Sequence, residues 1–320
     1  MHFLEKIEVD CNGSSLLNIY ENRLFICGFG PIVTEMNQKE KIINLWYNGE
    51  VVRVWALKNY NGKIITGCGD GNLRIWDLKD NNRFRYVNNL NQSSIFSLEI
   101  YKNLLFGGDK NGNIICWEIN TWEKDNSYET QLHEVSINAL ISRNDILFSG
   151  GSDSKIGCYD LIHKKIIKYL EGHQSQITCF DANNKYLFSG GGDKTVKMWD
   201  IYSLTPLFSF DNHDSPISSI LVFRRKLFSC NSDGFKSTIN IWNISKKTHI
   251  ETLSTLPGWS SSMVIDHKKR KLYTMIGSKL NIWSVLDIPE ECILPTIMTL
   301  KRKNLCDDII YKIAEMLFIV

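Results

Sequence analysis

The stretch Leu187-Phe188-Ser189-Gly190-Gly191-Gly192-Asp193-Lys194-Thr195-Val196-Lys197-Met198-Trp199-Asp200-Ile201 decides how the chain is read. An apolar pair runs through small residues into an Asp-Lys turn, then into an alternating run that ends on Trp-Asp-Ile. Short alternating runs on either side of a Gly/Asp turn read as two antiparallel strands. The unit recurs. Ile64-Ile65-Thr66-Gly67 leads through Asp70 to Trp76-Asp77-Leu78, and Leu105-Phe106-Gly107-Gly108 leads to Trp117-Glu118-Ile119. Leu147-Phe148-Ser149-Gly150 leads to Tyr159-Asp160-Leu161, Leu227-Phe228-Ser229 to Trp242-Asn243-Ile244, and Leu272-Tyr273-Thr274 to Trp283-Ser284-Val285.

The closing aromatics stand at 76, 117, 159, 199, 242 and 283, so the gaps are 41, 42, 40, 43 and 41. A period of about 40–45 residues built from short strands implies a β-propeller with four strands per repeat. Helical repeats do not fit runs this short and this often broken by glycine. A seventh unit lies upstream in Leu24-Phe25-Ile26-Cys27-Gly28. Counting 41 back from Trp76 reaches Glu35, so the run Ile32–Met36 takes the Trp strand's place and Lys41–Trp46 supplies the fourth strand. The last unit has three strands, and Phe3–Val9 is a lone strand that would complete it and close the ring. The expected fold is all-β: a seven-bladed β-propeller of four-stranded antiparallel blades over residues 1–286, closed by the N-terminal strand. Residues 287–320 form a linker and a short C-terminal helix.

Composition narrows the function. The 320 residues carry 37 basic and 35 acidic side chains, a net charge of +2, which argues against dedicated nucleic-acid binding. No apolar run reaches the roughly 18 residues of a membrane span, and the N-terminus lacks a secretory signal. Nine cysteines without a CxxC pair, mostly inside apolar runs, read as small buried hydrophobes of a reducing compartment. The expectation is a cytoplasmic or nuclear protein with no cofactor, no metal and no catalytic residues.

These residues resemble the WD-repeat family over roughly residues 1–286. His173 lies 26 before Trp199, His133 lies 26 before Tyr159, and His213 lies 29 before Trp242 in a repeat with about three extra residues. The resemblance implies a hydrogen-bonded chain of His, Ser/Thr, turn Asp and Trp inside each blade. Residue by residue that gives His173, Ser189, Asp193 and Trp199; then His213, Ser229, Asp233 and Trp242; then His133, Ser149 and Asp153, with Tyr159 for Trp. Asp70 and Trp76 represent it in the second blade, which like the third lacks the His. Asn111 replaces the turn Asp in the third blade, and Gly277 replaces it in the last. The His-Ser-Asp set has the composition of a nucleophilic triad, but a set that repeats in several blades is a structural device.

The resemblance also implies a channel-rim slot, one residue after the Ile/Val that opens each innermost strand. It holds Trp55, Phe96, Asn138, Thr178, Ser218 and Ser262, with Ser15 in the first blade. Adjacent aromatics at 55 and 96 are the residue types that anchor protein interfaces, so a protein or peptide partner is expected there. Phe235 and Lys236, in the insertion, and Trp259 are expected to be neighbours on the same face. Lys268-Lys269-Arg270-Lys271 reads as a solvated hairpin tip. In the tail, Ile309, Ile310, Ile313, Met316 and Leu317 fall at helical spacing, with Asp307 and Asp308 near the start. That helix resembles part of an F-box, with Cys306 where the motif has Pro, which would make ubiquitin-ligase subunits partners.

Overall fold

The computed structural model describes residues 2–8, 12–21, 23–29, 33–36, 42–45, 52–79, 83–88, 93–266, 268, 270–277 and 279–284. They form seven four-stranded antiparallel sheets. The first comprises Asn12–Tyr20, Arg23–Phe29, Val33–Met36 and Ile42–Leu45. Blades two to six follow in chain order, each led by an innermost strand: Val54–Tyr60, Ile95–Tyr101, Ile137–Arg143, Ile177–Ala182 and Ile217–Phe223. The seventh sheet holds Ser260–Asp266, Lys271–Ile276, Lys279–Ser284 and the N-terminal strand His2–Glu8, which pairs with Lys279–Ser284. Innermost strands lie side by side around the set, blade seven's beside blade one's, giving an all-β propeller. Closure of this kind hides sheet edges that would otherwise pair with other chains. The C-terminal helix, with Ile309 to Leu317, lies outside the described residues, as does Trp46.

The glycine of the Leu-Phe-x-Gly strand has a packing reason. A Cβ on Gly108, Gly150 or Gly190 would stand 2.5–2.6 Å from Cγ2 of Ile137, Ile177 or Ile217, the Ile that opens the next blade. Blade six shows the complementary exchange. There Cys230 replaces the glycine, Ser260 replaces the next blade's Ile, and the two meet at 2.8 Å. A larger residue on one side of the seam is matched by a smaller one on the other, as close packing requires.

Blade three departs from the plan at its outer edge. Its fourth strand is only Thr130–Gln131. The rest is a turn with a 3-10 helix at Asn126–Tyr128, capped by the Asp125 carboxylate accepting from the Ser127 N–H. Trp122 and Tyr128 fold inward and are buried.

Candidate binding surface

The His-Ser-Asp-Trp set is complete in blade five. His173 bonds Asp193 through Nδ1 at 2.8 Å and Ser189 through Nε2 at 2.7 Å, and the Trp199 indole donates to Ser189 Oγ at 2.8 Å. Burial pushes the Asp193 carboxyl up, but bonds from His173 and the Gln174 N–H outweigh this and hold it well below the usual carboxylate range. Ser189 is fully buried between an imidazole and an indole, which keeps its hydroxyl away from any substrate. Blade four repeats the His133–Asp153 and His133–Ser149 bonds, at 2.9 and 2.7 Å. Tyr159 fills the Trp site by packing alone: no bond from its hydroxyl to Ser149 occurs among the described residues. A phenol carries its polar atom at the ring tip, whereas the indole carries it on the flank.

Blade six corrects the expectation for Asp233. His213 still bonds Ser229, and Trp242 still donates to it, each at 2.8 Å. The other imidazole nitrogen meets the Lys194 carbonyl at 3.1 Å, not Asp233. The three extra residues lengthen the hairpin by the rungs Asn231↔Thr238 and Ser232↔Ser237. Asp233 is thereby carried past the imidazole and instead accepts from the Phe235 and Lys236 N–H groups. Burial pushes the His213 imidazole down to about 4. A substitute network runs through Asn231, whose amide donates to Asp214 at 2.6 Å and to Ser215 at 2.8 Å. In blade two, Asp70 pairs bidentately with the buried Arg74, at 3.1 and 2.8 Å, beside the buried Trp76. In blade three, buried Asp109 accepts from the Asn111 and Asn113 N–H groups. Neither acid could be paired from sequence, because their partners sit outside the repeat's His and Asp positions.

One recurring bond fixes which loops share a face. In six blades a turn N–H donates to a carbonyl just before the innermost strand: Gly69 to Arg53, Lys110 to Ser94, Ser152 to Ser136, Gly192 to Gln176, Ser232 to Pro216 and Gly277 to Trp259. The tight turns and the strand-entry loops therefore lie together, and we call this the top face.

Rim positions 55, 96, 138, 178 and 218 are all half-buried, and each is the extra residue of a β-bulge in the innermost strand. A bulge re-aims its side chain out of the pleat, which is why this slot points differently from its neighbours. Register corrects the last blade. The bulge lies between Ser260 and Ser262, so Ser261 occupies the slot. Ser262 instead accepts from the Leu17 N–H across the seam, as Ser219 does from Met263. The blade has Ser260 where the others have the Ile that marks the strand start, so spacing alone points one residue beyond the slot. Asn138 and Thr178 donate to the Ile177 and Ile217 carbonyls of the following blades, so they staple seams. The two aromatics do not. Trp55 and Phe96 stack with centroids 4.9 Å apart at 60°, and the Arg53 guanidinium lies 3.6 Å from the Trp55 ring centroid.

The second cluster is at the blade six–seven junction. Phe235 is 86% exposed and Trp259 53% exposed. The Gly258 N–H donates to the Phe235 carbonyl at 2.9 Å, and the Trp259 ring lies over Gly234, 3.3 Å from where a Cβ would stand. Lys236 pairs with Asp214 at 3.2 Å. Lys268 is exposed at the opposite end of blade seven, in the turn between its first two strands. Among the described residues no group of His, Cys, Asp or Glu is arranged to hold a metal. Burial pushes the Cys116, Cys158 and Cys179 thiols up to about 12, which makes them poor nucleophiles. No helix of the described residues is long and apolar enough to cross a membrane.

Known proteins agree with this geometry. The WD domain, G-beta repeat model matches residues 47–77 and 164–200. The transcription factor unc-37 of Caenorhabditis elegans is 28% identical over 158 residues, covering 45% of this chain and 25% of that protein. Protein DSE1 of Candida albicans is 38% identical over 78 residues, 23% of this chain and 10% of its own length. The peroxisomal targeting signal 2 receptor of Schizosaccharomyces pombe is 24% identical over 162 residues, 48% of this chain and 53% of that protein. The matches thus span about half or less of these curated relatives. Among solved structures, a chain of the mitotic checkpoint complex superposes with a TM-score of 0.80 at 17% identity, covering 89% of this chain and 92% of that one. The computationally designed protein Ika8 superposes at 0.69 and 19% identity, over 89% and 100%. At those identities the superpositions speak for the fold. The matched repeat model, the recurring hydrogen-bonded sets and the ring of four-stranded sheets identify WD repeats in a β-propeller.

Proposed function

We propose that the seven-bladed ring is a non-catalytic scaffold that holds a protein or peptide partner on its top face. The observation that carries this is the half-exposed Arg53–Trp55–Phe96 stack, held out of the core by two successive bulges. Aromatic and Arg side chains supply most interface energy when a partner desolvates them. Phe235 and Trp259 extend the same face at its far side. The His-Ser-Asp sets are committed to holding blades together, which leaves the face, not the core, to do the recognising. Photo-crosslinking tests the reading. A crosslinker placed at position 96 or 235 should capture a partner that one at position 268 does not; equal capture from both ends of the ring contradicts it.

The helical spacing of Ile309, Ile310, Ile313, Met316 and Leu317 favours a second reading, in which the tail recruits ubiquitin-ligase subunits. Affinity purification with and without residues 288–320 tests it. Recovery of the same subunits by both forms, or of none by either, contradicts it.

A further inference from the structure

The end of the ring opposite the top face is set by a second recurring bond. In blades two to six, the N–H just after the third strand donates to a carbonyl in the turn between the first two strands. The pairs are Leu78 to Gly62, Ile119 to Asn103, Leu161 to Asp145, Ile201 to Lys185 and Ile244 to Arg225. The inner and outer turns of each blade therefore end together and form an even bottom face.

Charge on that face is uneven. Blades six and seven, residues 2–8 and 217–284, hold twelve basic and five acidic residues in a chain whose net charge is +2. The bottom turns at 223–226, 243–248 and 266–271 hold three, two and four of the twelve. Arg224, Arg225, Lys246, Lys247 and Lys268 are exposed there. The one acid of these turns, Asp266, is buried and accepts from the Lys268 N–H at 2.9 Å. Of the other four acids, Glu251 stands three residues up the outermost strand of blade six, Asp233 is on the top face, and Glu5 and Glu8 belong to the N-terminal strand. Asp287, next in sequence, lies outside the described residues.

Elsewhere the repeat supplies its own acid to this face. The residue after the closing aromatic is Asp77, Glu118, Asp160 and Asp200 in blades two to five. Lys63 pairs with Asp77 at 3.0 Å, and Lys102 with Asp145 at 3.7 Å. In blades six and seven the same position is neutral, as Asn243 and Ser284. Asn243 still caps its turn: its Oδ1 accepts from the Lys246 N–H at 2.9 Å, as Asp200 Oδ1 accepts from Ser203. The acceptor that the turn needs is kept while its charge is gone, so the basic surplus is not imposed by the fold.

From this we propose that the bottom face of blades six and seven docks on the surface of an anionic lipid bilayer. Cations on the inner and outer turn tips of two adjacent blades match a plane of headgroups, whose negative potential attracts every Lys and Arg within a Debye length. The neighbouring turns add apolar tips on the same face. Tyr202 in blade five is 71% exposed and Ile162 in blade four 60%. An amphipathic ring and an aliphatic tip beside a basic patch suit the boundary between headgroups and acyl chains. A nucleic acid is a poorer occupant. Phe223, the aromatic of the basic turns, is buried with the Arg224 guanidinium 5.3 Å from its ring centroid, so it offers no platform for a base. Turn tips also provide neither a helix nor a strand ribbon to enter a groove. An acidic peptide is poorer too, because turn tips present no strand edge for it to extend.

Flotation of the full chain with lipid vesicles tests this. Vesicles of phosphatidylcholine with about 30% phosphatidylserine should carry the chain, vesicles of phosphatidylcholine alone should not, and added salt should release it. The quadruple substitution Arg225→Gln/Lys246→Gln/Lys247→Gln/Lys268→Gln, all at exposed side chains, should weaken binding at least about tenfold. Lys63→Gln/Lys102→Gln, on the part of the bottom face where acids answer the cations, should weaken it less than about twofold. Circular dichroism verifies the folding of each variant. Equal flotation with neutral vesicles, no flotation at all, an unchanged quadruple variant or an equal loss from the Lys63/Lys102 pair would each overturn the proposal. So would tighter binding to duplex DNA or to polyglutamate than to the anionic vesicles at equal anion concentration.

Discussion

Blades five and six were built from the same repeat and solve the same problem differently. In blade five, His173 is clamped between Ser189 and the Asp193 carboxylate. In blade six the hairpin is longer, the acid is displaced, and His213 stays neutral against a backbone carbonyl. Three extra residues have moved a charge out of the core and placed Phe235 in solvent. The lesson is that the buried polar set tolerates loss of its acid provided every remaining donor and acceptor finds a partner.

The largest contrast should come from removing the histidines. His173→Ala removes the imidazole bond from the poorly exposed Asp193 carboxylate, which keeps the Gln174 and Thr195 N–H groups, and should cost roughly 3 kcal/mol, while His213→Ala, which leaves only neutral groups, should cost about half that. Denaturant titration of the two variants against wild type checks the order, and equal costs would erase the distinction between the blades.

The next contrast is with pH. His213 has a folded-state pKa of about 4, below its ordinary 6.5. The unfolded chain therefore binds the proton more readily between those values. The stability held by the neutral imidazole is fully present above about pH 6.5 and is lost as pH falls towards 4, on the order of 3 kcal/mol. Asp193 has a lowered pKa, so its contribution persists through that window and falls only in stronger acid. Amide exchange should accordingly show the strand Lys236–Asn243 loosening before Val196–Asp200 on acidification.

A smaller effect concerns the acids. Asp193→Asn should destabilise by about 2 kcal/mol, whereas Asp233→Asn, which only caps an exposed turn, should lower the melting temperature far less. Thermal melts decide this. Phe235→Ala should be the smallest, within about 0.5 kcal/mol, because the side chain is almost wholly in solvent.

Much of this architecture was legible in the chain itself. The phase of the aromatics placed each Trp strand, and the glycine pattern anticipated strands whose glycines turned out to face the next blade's Ile. His173, Ser189, Asp193 and Trp199 could be named because they recur in register. What escaped was set by geometry that spacing does not encode. Asp233 kept its sequence offset from Ser229 but lost its partner when the hairpin gained two rungs. Ser262 was misplaced by one because Ser260 replaces the Ile that marks the strand start. The irregular edge of blade three depends on Trp122 and Tyr128 folding inward, which no alternation announces.

The account rests most heavily on the top face as the place where a partner is held. Quantitative affinity purification of the wild-type chain beside the double substitution Trp55→Ala/Phe96→Ala, with equal folding verified by circular dichroism, tests this directly. The account predicts that at least one stoichiometric partner is lost from the variant while the ring remains folded. An unchanged set of partners at unchanged stoichiometry would contradict it.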